Sequence, residues 1–133
     1  MKKAVVYYSG TGNTQAMAEK IAAVSGAELI TFDEFAPAKT AEYDVLALGC
    51  PAMGAEVLEE EIVQPAFDEM KPLLKGKRVA LFGSYGWGDG EWMRSWEDDC
   101  RAAGAELICD SVICQEMPDD DALQACENLA KAM

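Results

Sequence analysis

The 133-residue sequence contains no histidine. It therefore lacks the usual general base, the commonest transition-metal ligand and any triad centred on histidine. Its five cysteines form an odd set without a Cys-x-x-Cys pair, so neither a zinc site nor a disulfide framework is indicated. We expect reduced thiols that pack as small apolar groups. Much of enzyme chemistry is excluded, and we predict neither catalytic residues nor a metal.

Positive charge is also scarce. The chain has 11 basic and 24 acidic side chains, a formal net charge of −13. Such a surface repels nucleic acid and anionic membranes and attracts basic proteins. We predict no nucleic-acid or membrane partner.

Long apolar runs are missing as well. The amino end, "MKKAVVYY", is too short for a membrane span and has no signal-peptide cleavage site. Half of the residues are nevertheless hydrophobic, enough for one well-packed core. We expect a single domain over residues 1–133, monomeric and cytoplasmic.

Five short runs rich in Val, Leu, Ile and Ala show little polar alternation, which is typical of strands buried on both faces. These runs are Ala4–Tyr8, Ala27–Phe32, Val45–Gly49, Val79–Gly83 and Glu106–Cys114. Between them, apolar residues recur every three or four positions, as on one face of a helix. The clearest stripes are Met17, Ile21 and Val24; Val63, Phe67, Met70 and Leu74; and Met93, Trp96, Cys100 and Ala103.

Two further segments complete the predicted α/β pattern. Asp119, Asp120 and Asp121 indicate the start of a closing helix. Residues 33–43 contain Pro37 and several charges, so we expect a loop with at most a short helix. Alternating strands and helices predict a doubly wound, five-stranded parallel sheet with helices on both faces.

Ligands of such sheets bind beyond the carboxyl ends of the strands, where the strand order reverses. Three predicted loops lie there: Ser9–Thr14, Pro51–Glu56 and Ser84–Glu91.

The first loop, "SGTGNT", predicts a phosphate site. Its hydroxyls, side-chain amide and glycines place neutral donors at the start of a helix, where backbone N–H groups converge on an anion. The Walker pattern is absent because no lysine follows, and the dinucleotide pattern lacks its third glycine. The alternative is an ordinary turn capped by Thr11 or Asn13.

The second and third loops together predict a site for a flat ring. "GCPAMGAE" offers the thioether of Met53 and the carboxylate of Glu56, and "GSYGWGDG" offers Tyr85 and Trp87 among glycines. Taken singly, each has another interpretation: Met53 as core, Trp87 as an exposed loop residue and Glu56 as a solvated charge.

The stretches "SGTGNT", "LGCPAMGAE", "LFGSYGWGDGEW" and "EMPD" resemble, in order and spacing, the short-chain flavodoxins of anaerobic bacteria. The resemblance covers essentially the whole chain and implies strand order 2-1-3-4-5. It also implies a low-potential carrier that uses non-covalently bound FMN to shuttle single electrons between redox proteins through a neutral semiquinone. An alternative is an FMN-dependent NAD(P)H reductase of quinones or similar small acceptors.

The same resemblance assigns roles to the three loops. Trp87 would stack on the outer face of the flavin ring and Met53 on the inner side. Glu56 would accept a hydrogen bond from ring N(3)–H, and the carbonyl of Gly54 would turn toward N(5). The phosphate loop would comprise Ser9, Gly10, Thr11, Gly12, Asn13 and Thr14. The remaining cofactor contacts would come from Pro51, Ala52, Ala55, Ser84, Tyr85, Gly86, Gly88 and Asp89.

Two positions depart from close relatives. Tyr8 stands where many carry tryptophan. Pro51 replaces a serine that helps to hold the phosphate in some relatives, so Ser84 is expected to carry more of that contact. The turn Met53-Gly54-Ala55-Glu56 is expected to require positive φ at Gly54, as in a type II′ turn.

Overall fold

A parallel sheet forms the centre of the computed structural model, which describes residues 1–54 and 56–133. The strands are β1 (Lys3–Tyr7), β2 (Glu28–Thr31), β3 (Val45–Gly49), β4 (Arg78–Tyr85), β5 (Glu106–Leu107) and β6 (Val112–Gln115). Their order is β2-β1-β3-β4-β5, with β6 also paired to β4 and all pairs parallel. The predicted order 2-1-3-4-5 is therefore confirmed.

In the described part of the chain, four α-helices cover the sheet. They are α1 (Asn13–Ser25), α2 (Val63–Met70), α3 (Glu91–Ala102) and α4 (Asp120–Ala132). A short 3₁₀ helix, Pro37–Glu42, lies in the segment expected to be a loop with at most a short helix, and another, Lys71–Leu73, follows α2. The stripe predicted through Leu74 is thus α-helical only to Met70, because Pro72 cannot supply the N–H that an α-helix needs. Within the described residues, no helix is both long and apolar enough to cross a bilayer.

The core lies on both faces of the sheet, which explains why the strands lack polar alternation. Leu46 and Leu48 of β3 join the cluster that includes Trp96 of α3. Val45 and Ala47, one residue out of phase, join the cluster formed with α1 and α4. Since neighbouring side chains on a strand point to opposite faces, β3 is buried throughout.

One strand was predicted over Glu106–Cys114, but the structure has two short strands there, β5 and β6, and both pair with β4. Leu107 pairs with Val79, but Val112 pairs with Phe82, so residues 108–111 face only two residues of β4. This segment carries Ser111, whose hydroxyl donates to Glu97 of α3 at 2.6 Å. The two extra residues bulge out of the pairing with β4 and divide the predicted strand into β5 and β6.

All five cysteines are free, and four are buried. Burial raises the pKa of Cys50, Cys100 and Cys126 to about 12 and that of Cys114 to about 11. Burial also raises the pKa of Cys109.

Candidate functional site

A cavity of about 570 Å³ opens at the carboxyl edge of the sheet, where the strand order reverses between β1 and β3. The three predicted loops all contribute to its wall. The lining residues are Gly10, Thr11, Asn13, Pro51, Ala52, Met53, Ser84, Tyr85, Gly86, Glu116 and Met117. The volume lies within the range of small-molecule and cofactor sites.

The amino-terminal loop is organised by Ser9. Its Oγ accepts hydrogen bonds from the backbone N–H groups of Gly12 at 3.0 Å and Gln15 at 3.1 Å. Ser9 therefore satisfies donors at the start of α1, the role that the capping interpretation assigned to Thr11 or Asn13. Thr11 and Asn13 instead line the cavity. The cavity wall therefore contains a hydroxyl and a side-chain amide beside the start of α1, which suits an anion.

Thr14 contacts Ser84, which lines the cavity. Their hydroxyl oxygens lie 2.8 Å apart, and both side chains are buried. The carbonyl of Ser84 also accepts from the backbone N–H of Ala52 at 2.9 Å. Ser84 thus contacts both other loops.

The second loop folds back on itself between Met53 and Val57. These residues exchange backbone hydrogen bonds of 3.0 and 3.1 Å, so the turn closes one residue later than the predicted four-residue turn. Gly54 has φ +47°, in agreement with the predicted positive value. Glu56 also has positive φ, +56°, which is strained for a residue with a side chain. The predicted contact of Ala55 lies outside the described residues.

The Glu56 carboxylate ties the second loop to the third. Its Oε1 accepts from the backbone N–H groups of Gly90 at 3.1 Å and Glu91 at 3.2 Å, at the start of α3. A Cβ atom at Gly88 would overlap this carboxylate, so glycine at that position allows the contact. A carboxylate can accept about four hydrogen bonds, and an additional N–H donor is compatible with this arrangement.

The third loop continues from β4 over the rim of the cavity. The Tyr85 ring packs 5.6 Å from Trp92, whose indole N–H donates to the carbonyl of Cys50 at 3.0 Å. Trp87 extends from this base with 66% of its surface exposed. Asp89 is paired with Arg94 at 3.0 Å. Trp87 and Asp89 lie beyond the cavity wall as the structure describes it, on the loop that borders it.

Glu116 and Met117 line the cavity and were not among the predicted site residues. Glu116 has φ +59°, and its N–H donates to the carbonyl of Tyr85 at 2.7 Å. The signal for a fourth loop is the position of "EMPD" just after the last strand, since the carboxyl ends of parallel strands share one edge.

A buried carboxylate, Glu59, fixes the far end of the second loop. Glu59 is only 7% exposed and accepts backbone N–H bonds from Glu61, Ile62 and Val63 at 2.7 to 3.0 Å. Burial raises its pKa, but these three bonds outweigh burial and hold the pKa below its ordinary value. The carboxylate therefore anchors the start of α2.

The family-model match and the sequence relatives agree on one family. The flavodoxin family model matches residues 5–129. The flavodoxin of Megasphaera elsdenii is 47% identical over 133 residues, covering 96% of this chain and 95% of the relative. The flavodoxin of Clostridium beijerinckii is 44% identical over 132 residues, with the same coverage. The solution structure of the two-electron reduced Megasphaera elsdenii protein superposes with a TM-score of 0.88, covering 99% of this chain and 97% of that one.

The chain belongs to the flavodoxin family. Flavodoxins are FMN-binding electron-transfer proteins and do not convert a substrate of their own. The cofactor and class of function implied by the sequence are therefore confirmed, and the reductase alternative is not supported.

Proposed function

We propose that the cavity holds FMN, with its phosphate on the Ser9–Thr14 loop and its ring between Met53 and Trp87. The observation that carries this proposal is the convergence of all three predicted loops on a single cavity of cofactor size. Thr11 and Asn13 supply neutral donors, and the start of α1 adds backbone N–H groups.

Bound FMN supplies one-electron chemistry, while the protein supplies orientation and electrostatics. Glu56 would orient the ring edge, because its carboxylate is already fixed by two backbone N–H groups. Met53 and the aromatic third loop would exclude water from the two ring faces.

Uptake of FMN and replacement of Trp87 test this site. We expect the protein to be yellow as purified and to release FMN in acid. Trp87→Ala should weaken FMN binding about 30-fold, since stacking on an aromatic side chain contributes roughly 2 kcal/mol. Fluorescence titration of FMN into the acid-stripped protein measures the affinity. Leu29→Ala, an exposed apolar residue of β2, is the control and should bind like the unaltered protein. Equal affinities for all three proteins would refute the stacking role.

We further propose that the cavity rim receives basic redox proteins in transient complexes. Exposed apolar residues, Val57, Trp87 and Met117, lie on the loops around the cavity. The overall charge of −13 would steer a basic partner and still permit rapid release. We propose a monomer that works in the cytoplasm, where five free thiols remain reduced.

The Glu116 carboxylate, which lines the cavity, should lower the potential of the second one-electron step, because this step adds negative charge to the bound FMN. Glu116→Gln should raise that potential by about 17 mV, equivalent to about 0.4 kcal/mol for a unit charge ~10 Å away across water. It should also slow electron transfer to a basic acceptor protein at low salt. Glu106→Gln, at the opposite edge of the sheet, is the matched control. Spectroelectrochemical titration checks the shift, which should shrink at high salt; an equal shift in both variants would contradict a local effect.

A further inference from the structure

The side-chain hydroxyls of Thr14 and Ser84 form a buried hydrogen bond. Thr14 lies in the first turn of α1, and Ser84 is near the carboxyl end of β4, 70 residues later in the chain. Thr14 is 1% exposed and Ser84 4%, and their oxygens are 2.8 Å apart. The pair therefore links the phosphate loop to the ring-binding loop.

The direction of this hydrogen bond has chemical consequences. Each hydroxyl has one proton to donate and can also accept. Only one of the two protons lies between the oxygens, so the other hydroxyl directs its proton elsewhere. A phosphate dianion accepts hydrogen bonds and donates none. If Thr14 donates to the phosphate, Ser84 must donate to Thr14.

We propose that Ser84 is a positioning residue that acts on the FMN phosphate through Thr14. Ser84 donates to Thr14 Oγ1, and this bond orients the Thr14 proton toward the neighbourhood of Thr11 and Asn13, which line the cavity. The inference rests on the proposed FMN site. It differs from the sequence expectation, in which Ser84 compensates for Pro51 by touching the phosphate itself.

The fixed backbone of Ser84 supports a positioning role. The carbonyl of Ser84 accepts a hydrogen bond from the backbone N–H of Ala52 at 2.9 Å, and Ser84 lies opposite Cys114 of β6 in the sheet. A hydroxyl on such a rigid strand end orients its partner at little entropic cost. Thr14, by contrast, lies in the first turn of α1, two residues after the cap residue Gly12, where backbone N–H groups have no acceptor within the helix.

A double-mutant cycle distinguishes action through Thr14 from direct contact. The measured quantity is the ratio of the riboflavin dissociation constant to the FMN dissociation constant, which isolates the contribution of the phosphate. It is determined by fluorescence titration of the acid-stripped protein for four forms: unaltered, Ser84→Ala, Thr14→Val, and the double variant. Valine matches threonine in shape, and urea unfolding of each form confirms that it is folded.

We expect Ser84→Ala to lower the ratio about tenfold in the unaltered background, because Thr14 loses the donor that orients its charge-assisted hydrogen bond to the phosphate. In the Thr14→Val background, Ser84→Ala should lower the ratio less than about twofold, because the Thr14 hydroxyl that contacts the phosphate is already absent. Thr14→Ser keeps the hydroxyl and should restore the larger effect. Ser25→Ala, which removes a hydroxyl at the far end of α1, should leave the ratio unchanged.

Equal effects of Ser84→Ala in the two backgrounds would show direct contact with the phosphate and overturn the proposal. No effect in either background would overturn it as well. Failure of the unaltered protein to prefer FMN to riboflavin would instead refute the proposed phosphate site, and that comparison comes first.

Discussion

Gly83→Ala is expected to destabilise the FMN-free protein by about 3 kcal/mol, because position 83 of β4 has no room for a side chain. A Cβ atom at Gly83 would overlap the carbonyl oxygen of Cys50 and lie 3.2 Å from the Trp92 ring. The obstructing atom belongs to the backbone of the adjacent strand end, so it cannot move aside by a rotamer change. The same carbonyl also accepts a hydrogen bond from the buried indole N–H of Trp92, and displacement of Cys50 would weaken that bond.

Urea unfolding of the FMN-free variant measures the loss, and Gly86→Ala is the matched control. Gly86 lies three residues further along, and a Cβ atom there would meet nothing within 4 Å. Its free energy of unfolding should change by less than about 0.5 kcal/mol. Similar losses in both variants would contradict the role of the overlap with Cys50, since Gly→Ala without overlap restricts the unfolded chain and does not destabilise the fold.

Glu59→Gln is expected to lower the free energy of unfolding by about 2 kcal/mol near neutral pH, through the loss of charge-assisted bonds to backbone N–H groups. Glutamine has one acceptor oxygen, whereas the carboxylate uses both of its oxygens for the N–H groups of residues 61–63. Glu60→Gln is the control, because the neighbouring Glu60 is exposed.

The cost of Glu59→Gln should depend on pH in a defined direction. The pKa of Glu59 in the folded protein is below its ordinary value near 4.5. The stabilisation is therefore complete above that ordinary value and is lost as the pH falls through the folded pKa. Urea unfolding from about pH 7 to about pH 4 should show a constant difference between the two proteins at first, which narrows toward the acid end. A difference that widens in acid would contradict this account.

The sequence correctly predicted the strands and loops whose positions depend on the local pattern of apolar and polar residues. Buried strands such as Val45–Gly49 follow from uninterrupted apolar runs, and the carboxyl-edge rule located the three loops that meet at the cavity. The interruption at residues 108–111 could not be read in the same way: Asp110 and Ser111 break the apolar run, but one polar pair does not show that the strand loses its register. The break depends on the pairing of this segment with β4 and on the contact between Ser111 and Glu97.

The finer organisation of the site depends on contacts between distant residues. No periodicity indicates that Ser84 bonds Thr14, or that the Glu56 carboxylate lies at the start of α3. Glu59 belongs to an acidic run that is typical of a solvated surface, yet it is buried because three N–H groups happen to converge on it. Such side chains are identified only when the fold brings their partners together.

Burial of the thiols keeps thiol–disulfide chemistry from interfering with electron transfer by the flavin. With pKa values of about 11 to 12 at four sites, the reactive thiolate is a negligible fraction near neutral pH. Disulfide exchange with oxidised glutathione or with thioredoxin-like proteins is correspondingly suppressed at those sulfurs. Disulfides that could accept electrons from the flavin are therefore slow to form at these four cysteines.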